Sequence, residues 1–179
     1  MRFTIVKTTL LIIPAAAAVL LLYAATSPDT FRVERSASIK APPEKIYALI
    51  NDFHQFGAWS PWEQLDPQMK RSYSGAASGK GAVYAWQGNK EVGAGRMEIM
   101  DAVAPSKVLI KLDFLQPFEA HNTTEYTLRT QGDATTVTWA MHGPSPYIAK
   151  VMGIFASMDS MVGKDFEKGL AKLKAEAEK

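Results

Sequence analysis

From Arg32 to Ile39 the chain alternates, with Val33, Ala37 and Ile39 on one face and Arg32, Glu34, Ser36 and Ser38 on the other. That is the pattern of a half-buried strand. Ala41-Pro42-Pro43-Glu44 stops it and opens a helix, because proline is well tolerated in a first helical turn and Glu44 suits the positive end of the helix dipole. Ile46, Leu49, Ile50 and Phe53 follow at helical spacing, and a short second helical turn leads into a loop framed by Trp59 and Trp62. Period-two segments then recur at Met69–Ser74, Ala82–Gln87, Gly93–Asp101, Lys107–Leu115, Thr123–Thr130 and Thr135–His142. The clearest places Val108, Ile110, Leu112 and Phe114 against Lys107, Lys111 and Asp113. Short turns such as Gly88-Asn89, Ala104-Pro105-Ser106 and Gln131-Gly132-Asp133-Ala134 separate them. Successive strands on short turns predict an antiparallel sheet, packed on one face and wet on the other.

After Gly143-Pro144-Ser145-Pro146 the period changes to that of a helix, from Tyr147 to about Ala177. Val151, Phe155, Met158, Val162, Phe166, Gly169 and Leu173 keep one stripe. Gly153, Gly163 and Gly169 each cost about 1 kcal/mol relative to alanine in a helix interior. They point to close approach to the sheet, or to a break near Gly153 or Gly163. One helix cannot cover a curved sheet of about six or seven strands, so a cavity is expected between the two layers.

The chain opens differently. Arg2 and Lys7 precede a run from Thr8 to Ala25 with no charge, about the length that spans a bilayer as a helix. Residues 1–26 are therefore expected to be an N-terminal membrane anchor, with Ala24-Ala25-Thr26-Ser27 leaving a cleaved signal segment as the alternative. Residues 27–30 are a short linker and 31–179 the folded domain. Positive charge before the apolar run predicts a cytoplasmic N-terminus and a single-pass arrangement with the domain on the outer, periplasmic or extracellular side.

The first strand, the helix APPEKIYALI and the turn W-S-P-W together resemble the START-like, polyketide cyclase/dehydrase (SRPBCC) superfamily, in particular its membrane-tethered members. The resemblance continues through YSG…GAVYAWQGN, G-R-M-E-I, VTWAM and GKDFEKGLAKLK, and covers residues 31 to 175. It implies an α+β helix-grip fold, an antiparallel sheet wrapped on a long C-terminal helix. Proteins of this superfamily use the same scaffold as lipid carriers, cyclases and chaperone regulators, so the resemblance implies an apolar cavity more firmly than an activity.

Composition removes several classes of function. There is no cysteine, hence no disulfide, thiolate metal site or cysteine nucleophile. The net charge of +2 gives no footprint for nucleic acid. His54, His121 and His142 fall in different elements with no metal-ligand spacing, so no metal or cofactor is expected. Gly75 to Gly81 lacks the spacing and hydroxyl of a phosphate loop, and no G-x-S-x-G elbow occurs. Asn122-Thr123-Thr124 matches a glycosylation sequon.

Strand parity puts Tyr84, Trp86, Leu112, Phe114, Tyr126, Trp139 and Met141 on the inner face, while most titratable residues, Asp113 among them, fall on the other. With Trp59 and Trp62 from the loop and Phe155 from the closing helix, these are the candidate ligand-binding residues. The partner they fit is a lipid or other hydrophobic small molecule. Two alternatives stand beside this one. The first is a cyclase/dehydrase-like enzyme in which Tyr84, Tyr126 or Asp101, in phase with the inner face, assists proton movement. The second is a protein-interaction module with a filled core.

Overall fold

The computed structural model describes residues 18–179. Seven strands form one antiparallel sheet in the order β1-β7-β6-β5-β4-β3-β2, so β2 to β7 are a meander and β1 returns to pair with the last strand. In chain order, β1 is Thr30–Ile39 and α1 is Pro43–Asn51. A 3-10 turn (Phe53–Gln55), the one-turn helix α2 (Phe56–Trp59) and a second 3-10 turn (Pro61–Gln64) follow. The meander comprises β2 (Lys70–Gly75), β3 (Ala82–Gln87), β4 (Ala94–Val103), β5 (Lys107–Gln116), β6 (Ala120–Gln131) and β7 (Ala134–Pro144). Two helices close the chain, α3 (Tyr147–Gly153) and α4 (Met158–Ala177). This α+β architecture is consistent with the helix grip.

The expected single closing helix is thus broken. Residues 154–157 separate its two parts, and Ser157 caps α4 by accepting from the Ser160 N–H. Gly153 ends α3, and a Cβ there would meet nothing within 4 Å. Gly163 and Gly169 are different. A Cβ on Gly163 would stand 2.2 Å from the Arg35 guanidinium, which reaches from β1 to Asp159 (2.7 Å) and Glu167 (2.8 Å) of α4. A Cβ on Gly169 would stand 2.7 Å from the Trp139 ring. Both glycines let the sheet and helix meet.

Burial on the inner face follows the alternation read from the sequence, with one exception of consequence. Register shifts between Ile99 and Asp101, which pair with Ile110 and Leu109 respectively, leaving Met100 as the extra residue of a β-bulge. The bulge reverses parity beyond it. Ala102 then sits opposite buried Val108, and Asp101 is exposed on the outer face. Asp101 therefore cannot act in the interior, a correction to its in-phase reading.

Residues 18–26 are helical. No helix among the described residues is long and apolar enough to cross a membrane. The expected anchor, drawn over 1–26, lies largely outside them.

Candidate ligand-binding site

Between the concave sheet and α4 is a cavity of about 200 Å³, partly open to solvent. Its size falls between the roughly 150 Å³ that accepts benzene and the roughly 300 Å³ at which ordinary ligand pockets begin. The interior is therefore not solid. Nine of the ten candidate residues line it. Trp59 and Trp62 enter from the turns after α1, and Tyr84 and Trp86 from β3. Leu112 and Phe114 come from β5, Tyr126 from β6, and Trp139 and Met141 from β7. Phe155 is placed elsewhere: it sits in the break before α4, 78% exposed, and takes no part in the wall.

Several aromatic residues of the wall meet edge to face. Trp59 meets Tyr126 at 6.0 Å and 88°, and Trp139 at 5.8 Å and 79°. Trp62 meets Trp139 at 5.7 Å and 84°. Trp139 lies flat on Phe166 of α4, 4.2 Å away and 7° from parallel. Such pairs add about 0.5–1.5 kcal/mol each beyond area burial, so this wall is rigid. Trp59 is further fixed by donating its indole N–H to the Leu49 carbonyl at the end of α1 (3.0 Å). The W-S-P-W turn accordingly packs a helix against the sheet and forms cavity wall at once. Trp86 donates likewise to the Val92 carbonyl (3.0 Å). The Trp139 Nε1 is buried and has no partner among the described residues.

Polar groups in the wall are few, and the principal carboxylate was not foreseen. Glu63 accepts from the Tyr84 hydroxyl on one oxygen and from Arg71 Nε on the other (2.7 Å), and its backbone carbonyl accepts from Arg71 Nη2 (3.1 Å). Burial, and then the hydrogen bond to the Glu63 carboxylate, push the Tyr84 phenol far above its usual range. Burial alone raises that of Tyr126. Both phenols therefore stay protonated at neutral pH, and the one hydroxyl proton of Tyr84 is committed to Glu63. Ser60 and Thr124 add hydroxyls, and Glu91 stands exposed at the outer edge.

Sequence reasoning missed Glu63 because it lies in a 3-10 turn, where strand parity says nothing. The signal available was adjacency: it follows Trp62 directly. Phe166 and Val162 were in the helix stripe, and the break in the closing helix makes them, rather than Phe155, the residues that α4 presents to the cavity. Among the described residues, no group of three His, Asp or Glu side chains could hold a metal ion.

Residues 30–178 match the family described as polyketide cyclase / dehydrase and lipid transport. No functionally curated protein matches the chain. Similar solved structures include protein CV1439 from Chromobacterium violaceum, at 15% identity and TM-score 0.58, covering 86% of this chain and 99% of that one. They also include two di-domain ARO/CYC proteins. BexL, from the BE-7585A biosynthetic pathway, matches at 18% identity and TM-score 0.60 over 88% of this chain. StfQ, from the steffimycin biosynthetic pathway, matches at 10% identity and TM-score 0.62 over 83% of it. The match spans about half of each di-domain protein, 53% and 51%. At these identities the likeness is one of fold.

Proposed function

As this chain belongs to the polyketide cyclase / dehydrase and lipid transport family, we propose that it binds a small hydrophobic molecule in the cavity between the sheet and α4, and does so at a membrane surface. One observation carries the binding reading: an aromatic and aliphatic cavity is held open by rigid ring contacts rather than filled. Each 100 Å² of apolar ligand surface buried there contributes about 2.5 kcal/mol before the costs of association. A filled-core interaction module needs no such space.

Supporting the membrane location, the described end of the apolar run exposes Val19, Leu22 and Tyr23. The Tyr147 hydroxyl of α3 donates to the Leu21 carbonyl (2.9 Å), and Lys150 donates to Asp29 (2.7 Å). α3 buries no residue and presents Ile148 and Met152 outward, with Phe155 beyond them. The apolar run and this apolar surface thus lie side by side. In the proposed arrangement the N-terminus is cytoplasmic and the domain faces the outer side.

A cyclase-like activity is the second reading, favoured by the chain of hydrogen bonds from Tyr84 to Glu63 to Arg71 at the cavity wall. In it the Tyr84 hydroxyl, its single proton held by Glu63, positions a bound substrate. Tyr84→Phe would then lower turnover of a polyketide substrate without weakening its binding.

The test of the binding reading is native mass spectrometry of the full chain in nanodiscs, with organic extraction of what it retains. A stoichiometric apolar molecule is expected. A clean protein mass, with no thermal shift against a panel of lipids and small aromatic compounds, would overturn it.

A further inference from the structure

Strand register fixes what gathers at each end of the sheet. Thr30, where the chain enters β1 from the apolar run, pairs with Pro144 at the end of β7. The same end collects the start of β6, where Ala120 pairs with Phe114, and the end of β5, where Gln116 pairs with Ala94. Ala94 in turn pairs with Gln87, the last residue of β3. The turns 117–119 and 88–93 and the step from Pro144 into α3 therefore lie at the end where the apolar run arrives. The turns 104–106 and 132–133 lie at the other.

Two exposed apolar groups mark this end. Phe118, 77% exposed, stands in the turn between β5 and β6, with Leu115 exposed just before it. Ile148 and Met152 of α3, with Phe155 beyond, form the other. β6 lies beside β7, the strand that leads into α3, so the two groups are neighbours across the sheet end although far apart in sequence. Large apolar side chains grouped in this way mark an interaction surface, as singly scattered ones do not. The exposed charges beside them are mixed, Lys70 and Lys90 with Asp29, Glu91 and Glu119, and offer no single sign for a charged partner to match.

What covers this surface follows from what is attached to it. The described chain begins at residue 18, inside the uncharged run Thr8–Ala25, whose length suits a bilayer. The Tyr147 hydroxyl donates to the Leu21 carbonyl (2.9 Å) and the Ser145 N–H to the Asp29 carbonyl (2.7 Å), so α3 is held against the run where it reaches β1. The cavity is turned the same way. Its lining residue Glu91, in the turn 88–93, is exposed, and Trp86, Val92 and Phe114 near the strand ends are half-buried. Farther along the strands, Ile110 and Tyr126 are buried.

We infer that this end of the domain rests on the bilayer, with Phe118 and the α3 surface inserted among the lipids and the cavity mouth at the turn 88–93 facing the same membrane. The inference rests on the membrane location proposed above and specifies it. Insertion is driven by apolar burial, so a neutral lipid suffices.

The test places the full chain in phosphatidylcholine nanodiscs that contain a lipid spin-labelled on its acyl chain, with 13C-methyl leucine, valine and methionine as reporters. Leu115, Val92 and Met152 should lose intensity, together with Leu22 of the apolar run. Val103, exposed at the opposite end of β4 and about 30 Å along the strand from Ala94, should keep it. In the double variant Phe118→Asp with Phe155→Asp, intensity at Leu115 and Val92 should return while Leu22 stays broadened. A broadened Leu22 with the other three sharp would overturn the inference in favour of a second copy or another protein on this surface, and leave the membrane location standing. A sharp Leu22 would overturn that location, and the inference with it.

Discussion

The inner face of the sheet has two ends built from the same kinds of residue to opposite results. Toward one end of β1, β6 and β7, Ile39, Val137 and Leu128 join Ile46 and Ile50 of α1 and Leu173 of α4 in the buried core, and none of them lines the cavity. Tyr84, Met97 and Leu112 of β3, β4 and β5, with Tyr126 and Trp139 farther along β6 and β7, line a cavity together with the W-S-P-W turn. Apolar composition does not separate them. The difference is which element lies above: α4 runs against β1, with Gly163 and Gly169 allowing close approach, while the far strands are roofed by short turns whose rings brace one another. A hollow thus arises where the covering elements are too short to pack down, and rigid aromatic contacts keep it from collapsing.

The widest separation between the two ends is expected on truncation. Leu173→Ala removes a side chain with no exposed surface from the filled end and should cost about 3–5 kcal/mol in urea unfolding. Leu112→Ala borders existing space, has fewer contacts to lose, and should cost about 2 kcal/mol. Equal losses would mean the hollow is not real.

Enlargement should reverse the comparison at a smaller scale. Val137→Phe overpacks the filled end and is expected to cost about 1–3 kcal/mol. Leu112→Phe grows into the cavity, should change stability by less than about 1 kcal/mol, and should abolish binding of an apolar probe. Retained binding in the second variant would place the ligand elsewhere.

Parity made most of this face legible beforehand, since Val108, Ile110, Leu112, Tyr126, Leu128, Val137, Trp139 and Met141 are all buried as their alternation requires. Three features were not legible, each for a physical reason. The bulge at Met100 inserts one residue and turns Asp101 outward, and nothing in IMDAV distinguishes that from a regular strand. The stripe from Val151 to Leu173 continues across the break at 154–157, so periodicity placed Phe155 with Phe166 although the backbone separates them. Glu63 gains its role from Tyr84 and Arg71, partners brought to it by the fold.

The smallest expected effect is electrostatic. The hydrogen bond from Arg35 holds the Asp159 carboxyl below its usual range. The unfolded chain then binds the proton more readily than the folded one. The clamp's contribution is complete above about pH 4 and is lost as pH falls through the depressed folded-state value. Asp159→Asn should flatten the acid side of a plot of unfolding midpoint against pH. An unchanged plot would show that the clamp adds nothing.

The most direct test of a hollow, ligand-binding end uses the methionines as reporters. Met69, Met97 and Met141 line the cavity, whereas Met100, Met152 and Met161 are exposed outside it. With 13C-methyl methionine in the full chain, an apolar probe such as 2-isopropenylnaphthalene should shift the first three resonances, saturating at one equivalent, and leave the second three in place. Shifts confined to Met152 and Met161, or none at all, would contradict the account.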